Sequence, residues 1–474
     1  MPVQMEEFTA LKAELQTGKA PKEVIRRLED MSTGTDDSLR LRIYHLLAGY
    51  HASSRQYEQT ILHCQRAIRL AEVVSGPDLS LIIDSYLIYA AMETSYKQTA
   101  AARVELAKLL LFLEKRQFKD AFVSGKIYLQ LAKTAIAEEQ IDLAIRELKE
   151  SASFFKQAAA DLHPAVQQVL HLLVQVYEEA GLYEEAQTLV KEQIKEMMRL
   201  QARKRELAWR IRQGELFFYT DLKKARRILS KALQLTEQAD ETELSVRVYV
   251  LLGEIDEEMR QFPRAISYYE RARSAGKAAD QLMSYLEIKI GLLAMKAGHI
   301  EKAKRYLENI PPHTPASIQD PALYALATLY GQEKEYGRGR HILKKLLSGR
   351  QEETKMRADA LQLLASFEFE LHHIGEAIRL FEDASGIYRK NSHHRFEQAM
   401  TMLKLGGSYE EIGDQKQAAI CYEEAVAVME KTRHRQGIEE ALAQILRFYE
   451  KNENPLKRYI YENKLVKWQL EKIR

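Results

Sequence analysis

Apolar residues recur along this chain at the three-to-four spacing of helices buried on one face, and the blocks they form come in pairs. The clearest pair holds Leu405-Gly406-Gly407-Ser408-Tyr409, then the break Gly413-Asp414, then Ala418, Tyr422 and Ala425. An earlier copy has Leu364-Ala365, Ala377, Phe381 and Ala384; the column of Tyr409 holds Glu368 there, between Phe367 and Phe369. Before it stand Leu326-Ala327, Tyr330, Gly339 and Leu343, then Ile290-Gly291, Gly298, Ala303 and Leu307. Next come Leu252-Gly253, Phe262, Ala265, Tyr269 and Ala272, preceded by Trp209, Leu222, Ala225, Leu229 and Ala232. Leu173, Tyr177, Gly181, Tyr183 and Ala186 make another copy, and Tyr128, Leu131-Ala132, Ile141 and Ala144 another. A degenerate copy lies at Tyr86, Ala90, Ala102 and Leu106, and a first one at Tyr44, Leu47-Ala48, Tyr57, Cys64 and Ala67.

Each column has a physical reason. A small residue on the first helix, such as Gly253, Ala327, Ala365 or Gly406, lets the second helix come close. The alanine column on the second helix (Ala102, Ala144, Ala186, Ala225, Ala265, Ala303, Ala377, Ala418) does the same from the other side. Tyr269, Phe381 and Tyr422 fill the space between neighbouring pairs. Turns such as Ala180-Gly181-Leu182 and Ile412-Gly413-Asp414 end the first helix on glycine. The period of roughly 36 to 42 residues allows helices of about four turns.

These columns resemble the tetratricopeptide repeat, from about residue 40 to about residue 430, in ten copies held in phase. The period is longer than the standard 34 residues, and the proline expected after the second helix is mostly missing, Pro315 excepted. Units of this longer kind occur in bacterial peptide-sensing regulators and some eukaryotic adaptors. The resemblance implies an all-α, right-handed solenoid of about ten helix pairs with helical caps. It divides the chain into an N-terminal cap (1–36), the repeat array (37–435) and a C-terminal cap (436–474).

The ends carry their own signals. Residues 5–31 read as two short helices split at Gly18 to Pro21, with Leu11, Leu15, Val24, Ile25 and Leu28 on apolar faces. Thr33 to Asp37 reads as a capping loop. Ile438–Lys451 and Pro455–Arg474 read as a final pair, with Trp468 covering the last repeat. Terminal caps are expected because an open repeat face aggregates.

Composition narrows the picture. Only 10 Pro and 21 Gly in 474 residues favour helix throughout. With 70 Lys and Arg against 68 Asp and Glu, the formal net charge of +2 gives no general pull towards nucleic acid or an acidic membrane. Cys64 and Cys421 lack metal-ligand spacing and fit a reducing, cytoplasmic setting. The first residues lack a signal-peptide pattern, and the apolar stretch at Leu109–Leu113 is far too short to span a membrane.

No catalytic motif emerges, and no cofactor or metal is expected. Gly337-Arg338-Gly339 follows a helix, lacks a third glycine and reads as a turn. His372-His373 and His393-His394 read as solvated turns, because no cysteine or confirmed carboxylate accompanies them at ligand spacing. Glu178-Glu179 and Glu410-Glu411 end first helices in register with the repeat and read as surface turns. One basic cluster holds Arg203-Lys204-Arg205, Arg210, Arg212, Lys223-Lys224 and Arg226-Arg227; another holds Arg338, Arg340, His341, Lys344, Lys345 and Arg350. Both read first as solvated outer faces.

The first helix of each pair should face the concave side. The positions that face inward include Lys133; His171 and Gln175; Arg210 and Phe217; Arg247, Glu254 and Glu257; Tyr324 and Thr328; and Gln362, Ser366 and Phe369. Mixed polar and aromatic side chains suit a peptide. Some adaptors of this family clamp a terminal carboxylate with Lys and Asn, but the column of Lys133, Gln175, Glu254 and Ser366 has no asparagine. The expectation is a non-enzymatic scaffold or sensor for a protein or peptide, with no membrane partner, nucleic acid disfavoured and a homo-oligomer compatible. The resemblance keeps two alternatives open, a peptide-regulated phosphatase of the Rap type and a peptide-controlled transcriptional regulator. The basic clusters keep a third, a nucleic-acid-associated repeat protein.

Overall fold

The computed structural model describes all residues except 1, 18–20, 74–77, 160, 276–279, 312–313, 349–352, 433 and 474. Among the described residues there are twenty-four α-helices and no strand. By contacts the chain forms two compact units, Met1–Thr220 and Asp221–Arg474.

The first unit opens with α1 (Pro2–Thr17) and α2 (Pro21–Ser32). Four helix pairs follow: α3 (Asp37–Ser53) with α4 (Tyr57–Arg69), and α5 (Leu79–Ser95) with α6 (Thr99–Lys115); then α7 (Ala121–Ala137) with α8 (Ile141–Ala158), and α9 (Pro164–Glu179) with α10 (Tyr183–Arg199). Helix α11 (Arg203–Leu216) closes it.

Helix α12 (Leu222–Gln238) opens the second unit. The pairs here are α13 (Thr242–Glu258) with α14 (Phe262–Ser274), α15 (Asp280–Lys296) with α16 (Ile300–Leu307), and α17 (Ala316–Gln332) with α18 (Tyr336–Leu347). They continue with α19 (Lys355–Glu370) and α20 (Ile374–Arg389), α21 (Arg395–Glu411) and α22 (Gln415–Glu430), and α23 (Arg435–Lys451) and α24 (Pro455–Ile473). Most helices have the length read from the period; α16, at 8 residues, is much shorter.

The small-residue columns do what their size requires. All eight alanines of the second-helix column are fully buried. A Cβ on Gly253 would stand 2.7 Å from the Tyr269 ring, and one on Gly406 would stand 2.9 Å from Tyr422. The aromatic ring therefore occupies the space that the glycine leaves. Gly337 and Gly339, expected in a turn, instead lie in the first turn of α18. Gly339 is there for the same reason, since a Cβ would meet Phe367 at 2.4 Å.

The turns after the first helices share one hydrogen-bond pattern. Leu182 N–H donates to the Tyr177 carbonyl at 2.8 Å and Gly181 N–H to that of Glu178 at 2.9 Å, the two bonds of a left-handed helix cap. Glycine fills the left-handed position at 181, 298 and 413, but Arg55, Lys97, Glu139, Arg260, Lys334 and His372 fill it elsewhere. The cap bonds offset the roughly 1–2 kcal/mol that a side chain costs there.

At the N-terminus, Leu11, Leu15, Val24 and Leu28 are buried and Ile25 is partly so. Asp36 accepts a hydrogen bond from Leu39 N–H at 2.8 Å and caps α3, as the loop composition suggests. Gly18, where the first two helices were expected to part, lies outside the described residues. No described helix is long and apolar enough to cross a membrane.

Candidate functional site

Within each unit, successive first helices touch: α3 with α5, α5 with α7, α15 with α17, α17 with α19, and α19 with α21. Second helices make no comparable series of contacts with one another. These contacts join α3, α5 and α7 in the first unit, and α15, α17, α19 and α21 in the second, into an inner layer. Lys133, Gln175, Glu254, Thr328 and Ser366 each stand six residues before a left-handed turn residue, at 139, 181, 260, 334 and 372 respectively.

In the first unit, Lys133, His171 and Gln175 are exposed on α7 and α9. His171 stacks on Trp209 with ring centroids 4.0 Å apart, and Gln175 Nε2 donates to Glu179 Oε1 at 2.9 Å. Trp209 is fully buried, with its Nε1 donating to Gln167 Oε1 at 2.9 Å. Arg210 is half-buried and is tied to Glu206 at 2.7 Å. Phe217 does not line a groove: it is the C-cap of α11 and is 5% exposed.

In the second unit, Arg247 is exposed on α13. Glu254 accepts a hydrogen bond from Tyr285 Oη at 3.3 Å. Glu257 is engaged by its own array, with Lys289 Nζ at 2.9 Å and Tyr269 Oη at 3.4 Å. Thr328 Oγ1 donates to the Tyr324 carbonyl at 2.9 Å, and Ser366 Oγ donates to that of Gln362 at 3.0 Å. Burial raises the Tyr324 pKa, with Asp359 of the neighbouring first helix adding to the effect. Phe369 is half-buried against the apolar core of α17 to α20, so it is packing and not groove.

Three inner residues escaped the sequence reading: Tyr285, Lys289 and Lys404. Lys289 and Lys404 each stand nine residues before a left-handed glycine, Gly298 and Gly413, and this shared column could have revealed them. Lys404 Nζ reaches Ser366 Oγ at 3.2 Å. Among the described residues no carboxylate lies within ion-pair distance of it. Its surroundings are crowded although the side chain is solvent-reachable: burial lowers its pKa and Glu440 only partly offsets that.

The basic clusters are largely occupied. Arg203 pairs with Glu206, Arg212 with Glu178 and Glu215, and Arg226 with Asp256. Arg338 pairs with Glu335 and Glu308, while Arg340 and Lys344 reach Glu368. Arg226, Arg340 and Lys344 therefore support buried acids and are not simply solvated. His373, expected in a solvated turn, places Nδ1 2.8 Å from Glu368 Oε2. Glu178 is likewise half-buried and engaged. Arg350 lies outside the described residues. Among the described residues no group of three His, Cys, Asp or Glu could hold a metal ion. A cleft of about 550 Å³ near the N-terminus, which the sequence did not suggest, is lined by Phe8, Lys12, Leu15, Arg42, His45 and Tyr50. Its Arg42 is bound to Asp78 at 2.6 Å and its His45 lies 3.1 Å from Ser85 Oγ.

A model of the tetratricopeptide repeat family matches residues 356–431. No curated protein matches the chain. Among solved structures, the apo form of RapI is similar at 10% identity and a TM-score of 0.43, covering 83% of this chain and 98% of that one. The apo form of the quorum sensor NprR from B. thuringiensis is similar at 12% identity and a TM-score of 0.40, covering 83% and 100%. A signal-transduction ATPase with a tetratricopeptide repeat sensor, from Pyrococcus horikoshii, is similar at 14% identity and a TM-score of 0.44, covering 82% of this chain and 56% of that one. Residues 356–431 thus match the tetratricopeptide repeat family, and helix pairs of similar build recur on either side of them in an all-α repeat fold.

Proposed function

We propose that this protein is a non-enzymatic binding scaffold or sensor that holds an extended peptide or protein segment along the first helices of its second unit. The observation that carries the reading is Lys404, a crowded cation with Ser366 as its polar neighbour and no carboxylate within ion-pair distance among the described residues. Around it, Tyr324, Thr328, Gln362 and Ser366 supply hydroxyl and amide groups along the touching helices α17, α19 and α21. Such a row suits a peptide with a carboxylate opposite Lys404, because a charge-assisted hydrogen bond in a partly dehydrated groove is stronger than one on an open surface. The setting of the two buried free thiols, Cys64 and Cys421, agrees with a reducing compartment.

The nucleic-acid reading has less support, because many cations of both basic clusters are bound to acids of the same chain. The test is selection of binders from a random peptide library displayed on phage. Peptides enriched in acidic residues or free C-terminal carboxylates, which bind the native protein and lose binding to Lys404→Glu, are the expected result. Selected peptides that bind both proteins equally would overturn the reading.

A further inference from the structure

The cleft of about 550 Å³ near the N-terminus is lined by residues of α1, α3 and α5, with Leu15, Leu46 and Leu81 beside Lys12 and His45. Its size is that of a small-molecule site. Its wall carries a glycine that packing does not demand. Gly49 lies in the body of α3, where glycine is a poor helix former. A Cβ on Gly253 or Gly406 would strike an aromatic ring, but one on Gly49 would meet nothing within 4 Å. Gly49 lines the cleft, so the space a side chain would take there is the cleft's own.

The polar groups of the cleft select a ligand. The acids nearby are already engaged: Asp78 by Arg42 at 2.6 Å and by Ser38 Oγ, Asp84 by Lys126 Nζ at 3.1 Å. Exposed Lys12 has no carboxylate within ion-pair distance among the described residues. Ser85 Oγ donates its one proton to the Leu81 carbonyl at 2.7 Å, so it accepts from His45 Nδ1–H at 3.1 Å. Burial holds the His45 pKa below its ordinary value; Asp84 opposes this and Lys12 adds to it. The ring is therefore neutral at neutral pH, and Nε2 is an acceptor with no partner among the described residues.

We propose that this cleft binds a small amphipathic hydroxy acid, with its carboxylate on Lys12, its hydroxyl donating to Nε2 of His45 and its hydrocarbon chain against Leu15, Leu46 and Leu81 beside Gly49. A β-hydroxylated fatty acid of medium length has this chemistry. One unpaired lysine matches a singly charged carboxylate. Arg42, neutralised by Asp78, is not free to balance the second charge of a phosphate. The site belongs to the first unit and is independent of Lys404 in the second.

Isothermal titration of the full 474-residue chain with β-hydroxydecanoate, below its micelle concentration, tests this. Saturable one-to-one binding is expected. Lys12→Gln should weaken it about tenfold or more, the weight of one charge-assisted hydrogen bond. The methyl ester should lose as much on the native protein. Decanoate, which lacks the hydroxyl, should bind about threefold more weakly, the weight of a neutral hydrogen bond. Gly49→Leu should fill the cleft and abolish binding with the melting temperature at or above that of the native chain, which separates a blocked cleft from an unfolded one. Lys12 is exposed, so its variant keeps the fold and is decisive by itself. Absence of binding overturns the proposal, and so does binding that Lys12→Gln or a folded Gly49→Leu leaves unchanged. Decyl phosphate binding more tightly than either carboxylate does so too.

Discussion

Arg226 Nε lies 3.1 Å from Oδ1 of Asp256, and the Asp256 side chain is fully buried between α12 and α13. Burial raises the pKa of this aspartate, and Arg226, with Arg264, only partly offsets the effect. Removing one partner of a buried pair is costly because the other is left desolvated and unmatched. Arg226→Ala is therefore expected to destabilise the second unit by about 3 kcal/mol, whereas the exposed Arg227→Ala should stay within roughly 0.5 kcal/mol. Thermal melts followed by circular dichroism check this; equal shifts for the two would show that the ion pair has no structural weight.

Ala265 is fully buried where α14 meets α13, while Gln261 is exposed at the start of α14. The space over Gly253 is already filled by Tyr269. Ala265→Leu adds methylenes where nothing can yield and should cost about 1–3 kcal/mol. Gln261 makes no side-chain cap bond, so Gln261→Ala should cost less than roughly 0.5 kcal/mol. Urea midpoints for the two variants decide between this register and any other.

Glu368 gives the acid limb of the stability curve a definite sign. Burial pushes its pKa up, but the hydrogen bond with His373 and the ion pairs with Lys344 and Arg340 outweigh that and hold it below the ordinary carboxylate value. A depressed carboxylate contributes stability that is complete above its unfolded pKa of about 4.3 and is lost as pH falls through the folded value. The native protein should thus lose stability as pH drops below about 5, and Glu368→Gln should show a shallower loss over the same window. Its stability near neutral pH should be lower, because Lys344 and Arg340 lose their acid. Melts taken across that range test it; parallel curves for the two proteins would refute the assignment.

Asp256 and Glu368 also show where the sequence could be read and where it could not. The small and aromatic columns were legible because they repeat and because only one physical demand, close helix approach, explains their size. Glu368 was visible as a break in an aromatic column, but a carboxylate is ordinarily a surface residue. Its partners, Arg340 and Lys344, sit on the preceding second helix and look solvated in isolation. The left-handed turns escaped wherever Lys, Arg, Glu or His replaced glycine, since backbone hydrogen bonds, not side-chain identity, maintain the conformation there. The inner positions were legible as a column. Which of them are occupied by their own array, as Glu257 is by Lys289, and which are not, as with Lys404, depends on distances between helices that no single-sequence pattern contains.

The same distinction between occupied and available charges shapes the functional test. Lys404→Glu reverses a charge on the inner layer of the second unit. Lys223→Glu and Arg227→Glu reverse exposed charges on α12, a helix outside that layer. Arg226 must be left out of this control because it supports Asp256, and its loss would confuse unfolding with lost binding. For peptides selected against the native protein, the Lys404 variant should weaken binding about tenfold or more, the magnitude of one lost charge-assisted hydrogen bond. The α12 variant should change affinity less than about threefold, since well-solvated charges are screened over a Debye length of about 8 Å at physiological salt. Raising the salt concentration should therefore reduce the small α12 effect more than the Lys404 effect. Isothermal titration with both variants, after equal helicity has been shown, reads these changes. Loss of binding in the α12 variant with full binding in the Lys404 variant would move the site from the inner layer to the second helices.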